Sequence, residues 1–233
     1  MASSTRWKFP VLFLLAFIFS PPIQAESNPL FFYTHRMSSP YTMPAGRLYL
    51  GTSVGVGVTD FLQISTDVVR DIYKTYNVQA KLSVLDSSAF AVALTGGYVT
   101  YNYADAAVGN PNLQINTVQP GGVIAIGLAP TLAWFVGGHV DITNTQLITS
   151  GITTSGFFSG TTLESDLSWA YSPEKKHLGN VLSVGVTYDT SYRIYGVGMS
   201  HHWPGFHVGL HYYPNAAINK LDPIISGGAA VNL

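Results

Sequence analysis

Apolar residues occupy every second position through most of the chain that follows Arg47. Leu48, Leu50 and Val54 open the pattern, and polar residues and glycine fill the positions around them. A period of two predicts β-strands with one apolar face, and no segment carries the apolar stripe of a capped helix. The same alternation returns in 62–68, 78–84, 90–94, 124–128, 132–136, 167–171, 182–188 and 206–212.

Residues 121–138 form an uncharged stretch that is long enough to cross a membrane as a helix. The stretch contains five glycines and Pro130, which disfavour a helix. Two strands joined by a turn at Pro130 would instead place Ile126 and Trp134 on the same face. We therefore predict a β-hairpin over these residues.

The connections between the predicted strands favour a barrel. With an early strand at 29–36 and a last strand at 224–233, the chain supplies twelve antiparallel strands, and ten are possible because the first is weakly patterned. Long connections at one rim and short turns at the other are typical of transmembrane β-barrels. Short connections are predicted at 59–60, 86–88, 129–130 and 203–205, and longer polar ones at about 104–119, 142–157 and 214–223.

The second face of the strands distinguishes a membrane barrel from a soluble sandwich. A soluble sheet presents many Lys and Glu to water, whereas this face holds mainly small and uncharged polar residues. Only 10% of the chain is charged, compared with about 25% in an average soluble domain. Aromatic residues that could form interfacial girdles lie near the predicted strand ends: Tyr49, Tyr98, Tyr101, Tyr103, Trp169, Tyr171, Tyr188, Tyr192, Trp203, Tyr212 and Tyr213.

With these features, residues 46–233 resemble the outer-membrane β-barrel proteins of Gram-negative bacteria, and the hairpins over 51–67 resemble those that open small porin-like barrels. Outer-membrane barrels commonly end in an alternating strand with a terminal aromatic residue. The chain keeps that alternation over 225–231 but has Leu233 in place of the aromatic residue. The resemblance implies an antiparallel transmembrane β-barrel in the outer membrane, with outer-membrane lipids and the barrel-assembly machinery as partners.

Residues 1–25 have the layout of a secretory signal peptide, with Arg6 and Lys8 before an apolar run at 9–19 and cleavage after Ala25. An uncleaved anchor is less favoured, because the run is too short to span a bilayer as a helix. Residues 26–233 then form one barrel domain with nine basic and twelve acidic residues, a net charge of −3. This balance argues against a nucleic-acid partner, and the absence of Cys excludes disulfides.

Patterns that would indicate catalysis are weak. Ser200, His201 and His202 stand in the wrong order for the His-x-Ser arrangement of outer-membrane lipid A deacylases, without an acidic partner nearby. Glu164 and Asp166 share one strand face and indicate no more than that. We therefore predict that the chain is not an enzyme and uses no cofactor.

The histidines near the end of the chain do not predict a metal site. On a strand, His207 and His211 would lie about 13 Å apart, which is too far for one ion. His202 could face His207 across the turn at 203–206, but this pair supplies only two ligands.

The inward positions of the barrel predict its function. Small side chains between isolated charges leave space for water, which favours a passive porin-like channel for small solutes. A plugged structural or adhesion barrel is the alternative, and an outer-membrane lipid-modifying enzyme is less favoured. The candidate lumen-lining residues are Arg47, Gln63, Asp67, Gln79, Lys81, His139, Glu164, Asp166, His207 and His211.

One strand register would set the placement of charge in the lumen. If Asp71 pairs with Asn77, then Asp67 lies directly opposite Lys81 on the next strand. Arg47 would then come within reach of Asp71 near the outer rim. A register shift of two residues would separate Asp67 from Lys81, so this placement remains a hypothesis.

Overall fold

The computed structural model describes residues 39–72, 75–87, 89–104, 112–129, 131–149, 152–171, 180–203, 206–216 and 220–232. The predicted signal peptide at 1–25 and the predicted early strand at 29–36 lie outside these residues. Nearly all of the described chain is strand, with one short helix, α1 (Val68–Ile72). The strands are β1 (Arg47–Gly51), β2 (Ser53–Thr59), β3 (Leu62–Asp67), β4 (Thr75–Asp86), β5 (Phe90–Ala104), β6 (Asn112–Val118), β7 (Gly121–Ala129), β8 (Leu132–Thr149), β9 (Ile152–Ala170), β10 (Val181–Asp189), β11 (Ile194–Trp203), β12 (Phe206–Tyr212) and β13 (Leu221–Asn232).

The strands form one closed antiparallel sheet, because β1 pairs with β13 as well as with β2. The strands β6 and β7 lie in line, and both pair with β5 on one side and β8 on the other. Pro120 lies at the break between them, where a residue without an N–H interrupts the ladder. The thirteen strands therefore fill twelve positions around the barrel. This confirms the predicted all-β antiparallel barrel of about twelve strands.

The first two strands differ from their prediction. Residues 47–58 were expected to form one strand, but they form the hairpin β1–β2, in which Leu50 pairs with Val54 around Thr52. Three residues, 51–53, separate the last pair of this hairpin. Even-numbered side chains therefore lie on the same face of β1 and β2, and the alternation in the sequence continues through the turn. The described strands thus fill twelve positions without a strand at 29–36.

The uncharged stretch at 121–138 is a hairpin, as predicted. It forms β7 and the start of β8, with Ala129 paired with Leu132 across the turn. Among the described residues, no helix is both long enough and apolar enough to span a bilayer.

The two rims of the barrel differ in shape. The terminal rim, as we call it, holds the start of β1, the end of β13, the turn at 60–61 and the connection from β4 to β5. The opposite rim, the hairpin rim, holds α1 and the tip of the β8–β9 hairpin.

The long polar connection predicted at 142–157 is wrong. These residues extend β8 and β9 up to the pair between Thr149 and Ile152. Residues 112–118, also expected to lie in a connection, form β6. The polar composition suggested loops, but residues 142–157 are rich in Thr and Ile, and residues 112–118 contain Ile115, Thr117 and Val118, whose branched side chains favour strands.

Side chains alternate between an apolar outside and a mainly small or polar inside. On the outside, Leu94, Val184 and Met199 are more than half exposed. On the inside, Gln63 is 1% exposed and Ser183 is buried. An apolar outer face around a fully paired backbone is what a lipid environment requires, because lipid offers the backbone no hydrogen bonds.

Aromatic residues form part of a girdle outside the terminal rim. Trp169 lies 5.5 Å from Tyr171 and Trp203 lies 5.9 Å from Phe206, measured between ring centroids, and all four side chains are exposed. Tyr49, which was predicted to belong to a girdle, instead faces the interior and is buried.

The predicted pairing of Asp67 with Lys81 is wrong, because Lys81 pairs with Gln63. The Asn77 side chain accepts a hydrogen bond from the backbone N–H of Asp67 and donates one to its carbonyl oxygen. Asp71 accepts hydrogen bonds from the backbone N–H and the side-chain amide of Asn77. The chain leaves the sheet after Asp67 as α1, so the register differs by four residues from the predicted one.

The predicted proximity of Arg47 and Asp71 is also wrong. Arg47 pairs with Asn232 at the terminal rim, whereas Asp71 lies in α1 at the hairpin rim. The prediction failed because it treated 47–58 as one strand and placed Arg47 at the wrong end of it.

The outer and inner faces of the barrel wall should differ in how well they tolerate an introduced charge. Ile64 faces outward on β3, and Gln79 faces the interior on the neighbouring strand, paired with Ser65. We expect Ile64→Arg to reduce the free energy of unfolding by about 2–4 kcal/mol, because an arginine near the membrane midplane is costly. Gln79→Arg should cost much less. Urea titration read by heat-modifiable gel mobility measures both, and equal sensitivity would contradict the assignment of the faces.

Candidate functional site

Residues 39–43 enter the barrel at the terminal rim before the chain turns into β1. They lie against the β2–β3 wall, where the Met43 N–H donates a hydrogen bond to Gln63 Oε1 at 3.1 Å. The Thr42 hydroxyl donates to the carbonyl oxygen of Asp60, and the Ala45 N–H donates to its carboxylate. Gly57 provides space for the segment, since a Cβ atom there would lie 2.0 Å from the carbonyl oxygen of Pro44.

The same segment reaches the opposite wall through Tyr41. This side chain is 4% exposed and belongs to a buried cluster on the inner faces of β5, β7, β8, β9 and β10. Burial, with a smaller contribution from the nearby Asp86 carboxylate, raises the pKa of the Tyr41 phenol, so the ring stays neutral at ordinary pH. The wall residues of the cluster, mostly alanine and therefore small enough to admit the ring, are Ala91, Ala125, Ala133, Phe135, Ala170 and Val181.

Inward side chains fill the remaining space at this end of the barrel. Lys81 and His202 are each 1% exposed, and His207 is also buried. With Tyr41 on one wall and Met43 on the other, residues 39–43 and these side chains pack the interior of the terminal half. We call this packed region the floor.

Toward the hairpin rim, several inward side chains of the described residues are only half-buried. His139 Nε2 lies 3.6 Å from Asp141 Oδ1, with side chains 31% and 27% exposed. The Gln119 side chain donates a hydrogen bond to the same carboxylate oxygen at 2.7 Å. The interior therefore has the form of a cup, with its floor at the terminal rim and its mouth at the hairpin rim.

The ten residues predicted to line the lumen lie at different heights along the barrel. Gln63 and Lys81 pair with each other and belong to the floor, and His207 stacks on His202 there with ring centroids 4.0 Å apart. Asp67 is held at the hairpin rim by Asn77. The half-buried residues on inward positions are Arg47, Gln79, His139, Glu164, Asp166 and His211.

Sequence reasoning missed residues 39–43, which show no regular period. The available signal was the row of inward alanines, including Ala91, Ala125 and Ala133, because a barrel wall with such small side chains must be filled by something else.

The hydroxyl and imidazole groups near the terminal rim do not form an open catalytic site. Ser200 Oγ lies 3.1 Å from His202 Nε2, but both side chains are buried in the floor. Within the described part of the chain, no three His, Cys, Asp or Glu residues are close enough to hold one metal ion.

A four-stranded sheet projects from the hairpin rim. The upper parts of β5, β6, β8 and β9 pair side by side, and β8 pairs with β9 as far as Thr149 and Ile152. The neighbouring β10 ends lower, at Asp189 opposite Thr162. No described strand pairs with the outer edge of β9 over residues 152–160, and along that edge the only hydrogen bond among the described residues is from the Ser191 hydroxyl to the Ser159 carbonyl oxygen. Phe157 on this part of β9 is 72% exposed.

No protein-family model matches this chain, and no curated protein matches it in sequence. Among solved structures, it is similar to Ail, the attachment invasion locus protein of Yersinia pestis, at 8% sequence identity. The similarity covers 80% of this chain and 99% of that chain, with a TM-score of 0.34. A similarity this low carries no argument about function.

The contact between Gly57 and the entering segment predicts how the floor can be opened. We expect Gly57→Ala to displace residues 43–44, because its Cβ would overlap both of their carbonyl oxygens. Ion conductance in planar bilayers should rise from the background level to that of an open channel. Gly96→Ala is the matched control, since its Cβ would meet no atom within 4 Å. Equal conductance in the two variants would contradict the floor.

Proposed function

We propose that this protein is an outer-membrane barrel that is closed to free diffusion and attaches the cell to another surface through its projecting sheet. The observation that carries the proposal is the sheet itself. Its strands continue from the barrel wall, and no described strand covers residues 152–160 or their exposed Phe157. An exposed, uncharged strand edge is a hazard that proteins usually avoid, which supports a binding role here.

The outer membrane is the proposed location, reached through a signal peptide at 1–25. Side chains such as Val184 and Leu210 give the barrel an apolar outer face, and the exposed aromatic rings at the terminal rim suit a lipid interface. Outer-membrane lipids and the barrel-assembly machinery are the corresponding partners. Tight turns at the terminal rim favour the periplasmic side for that rim and the outside for the sheet.

A passive porin for small solutes is the second candidate, and the inward charges of the cup favour it. It requires a continuous aqueous path, whereas residues 39–43 and the buried Lys81 and His202 occupy the terminal half. The conductance of the unmodified chain distinguishes the two candidates. We propose no enzymatic activity, because the Ser200–His202 pair is buried.

Replacing the projecting hairpin tests the attachment function. In the variant, a two-residue Asn-Gly turn replaces residues 146–155 and joins Thr145 to Gly156, which pair in the unmodified chain. An Asn-Gly turn suits an antiparallel hairpin. We expect the variant to fold, as read by heat-modifiable mobility, but to lose at least nine tenths of the attachment that the full chain confers. The measurement is adhesion of non-adherent Gram-negative cells displaying the chain to cell monolayers and polysaccharide-coated surfaces.

The control is Gln79→Ala, which changes the interior and leaves the sheet intact. Undiminished attachment by the hairpin variant would refute the proposal. High conductance by the unmodified chain, without attachment, would favour the porin.

A further inference from the structure

The outer face of the projecting sheet carries side-chain amides in two parallel rows. The lower row runs across the four strands through Thr100, Asn116, Asn144 and Phe157. The upper row, two residues farther from the membrane on each strand, consists of Asn102, Gln114, Gln146 and Ser155. We call this surface the amide face.

The amide face begins where the apolar outer surface ends. The row directly below it holds Tyr98, Val118 and Ile142, all of them exposed. On β6 and β8, the outward side chains therefore change from apolar to amide within one step of two residues, whereas β9 carries Ser159 at the lower level. Strand spacing makes each amide row about 14 Å wide, and the two rows lie about 7 Å apart.

The stability of the sheet does not explain these residues. Asn is depleted in β-strands, yet it occupies three of the eight positions of the amide face, with two glutamines beside it. At these five positions, in place of β-branched residues, which would stabilise the sheet, the strands present amides that are able to form hydrogen bonds with an outside partner.

One amide is held in a fixed orientation. The Tyr98 hydroxyl donates a hydrogen bond to Asn116 Oδ1 at 3.0 Å, and the Thr100 hydroxyl donates to the same oxygen at 2.7 Å. These two contacts fix the direction of the Asn116 amide nitrogen. A donor oriented before binding loses little entropy when a ligand arrives.

The chemistry of the face favours a neutral partner rich in hydroxyl groups. Each amide offers two donors and one acceptor, which match sugar hydroxyls, since these both donate and accept. The strands β5 and β6 and residues 142–149 and 152–163 contain no Asp, Glu, Lys or Arg, so the face has no charge to attract an ionic ligand. At the end of the lower row, Phe157 provides an apolar ring on which the C–H face of a sugar can stack.

A partner polypeptide would use a different part of the sheet. It would add a strand along the edge of β9 at 152–160, where backbone groups determine the affinity. That mode makes no use of Asn144 or Gln146, whose side chains stand on the face of the sheet. The amide rows therefore favour a carbohydrate over a polypeptide.

We propose that the amide face binds neutral carbohydrate chains, with the amides bonding to sugar hydroxyls and Phe157 stacking on a sugar ring. This rests on the proposed attachment function and names the class of its partner.

The test uses the full chain in lipid nanodiscs and immobilised dextran and mannan as neutral polysaccharides. We expect at least one of the two polysaccharides to bind. The double substitution Asn144→Ala and Gln146→Ala should weaken that binding at least tenfold. Phe157→Ala should weaken it and Phe157→Trp should preserve it. Gln79→Ala, which removes an interior amide, is the matched control and should bind like the unmodified chain. Heat-modifiable mobility verifies that every variant is folded.

The outcomes separate the inference from the function on which it rests. The inference is overturned if neither polysaccharide binds, if the double variant binds normally, or if dextran sulfate is preferred. It is also overturned if a synthetic peptide of residues 152–160 binds in place of the polysaccharides, which would indicate pairing along the β9 edge. If cell attachment needs the hairpin but tolerates the double variant, the attachment function stands and the carbohydrate proposal fails.

Discussion

The whole structure depends on the pairing of the backbone in a closed ring. A strand edge within lipid would leave N–H and C=O groups without partners, at a cost of several kcal/mol for each group. The pairing of β1 with β13 removes that edge, and the five pairs from Arg47–Asn232 to Gly51–Gly228 complete the ring. Above the apolar surface this constraint is relaxed, and there β9 extends beyond its neighbour, with no described strand beside residues 152–160.

Closure leaves an interior that must be filled or hydrated, and this barrel does both. Near the terminal rim, inward alanines admit Tyr41, and Gly57 lets the backbone of residues 43–44 lie directly against the wall. Toward the hairpin rim, His139 and Asp141 face an open cup. The interior is thus packed where small wall residues admit the entering segment, and it is lined by partly exposed polar side chains toward the hairpin rim.

The sequence predicted the fold class and the two faces well, because alternation reports directly on lipid contact. Alternation does not reveal which residues pair across neighbouring strands, and it does not reveal a turn after which the same alternation continues. The β1–β2 hairpin around Thr52 keeps the alternation intact, and α1 shifted the pairing of Lys81 to Gln63. The floor was missed because residues 39–43 have no period, and the projecting sheet because its polar residues suggested loops. The floor depends on packing, and the projecting sheet depends on strand pairing, between residues that are far apart in the sequence. Such contacts leave no local pattern in the sequence.

The continuity of β8 and β9 from the terminal rim to the tip of the projecting sheet has a mechanical consequence. Tension applied at the tip runs along the strands and loads their hydrogen bonds in shear, so many bonds must break together. The pairs that join β8 to β6 and β7, and those that join β9 to β10, share such a load. A flexible loop at the same position would pass the load to one or two bonds at its base. If the sheet attaches the cell as proposed, the barrel that anchors it would therefore stay folded under a pulling force.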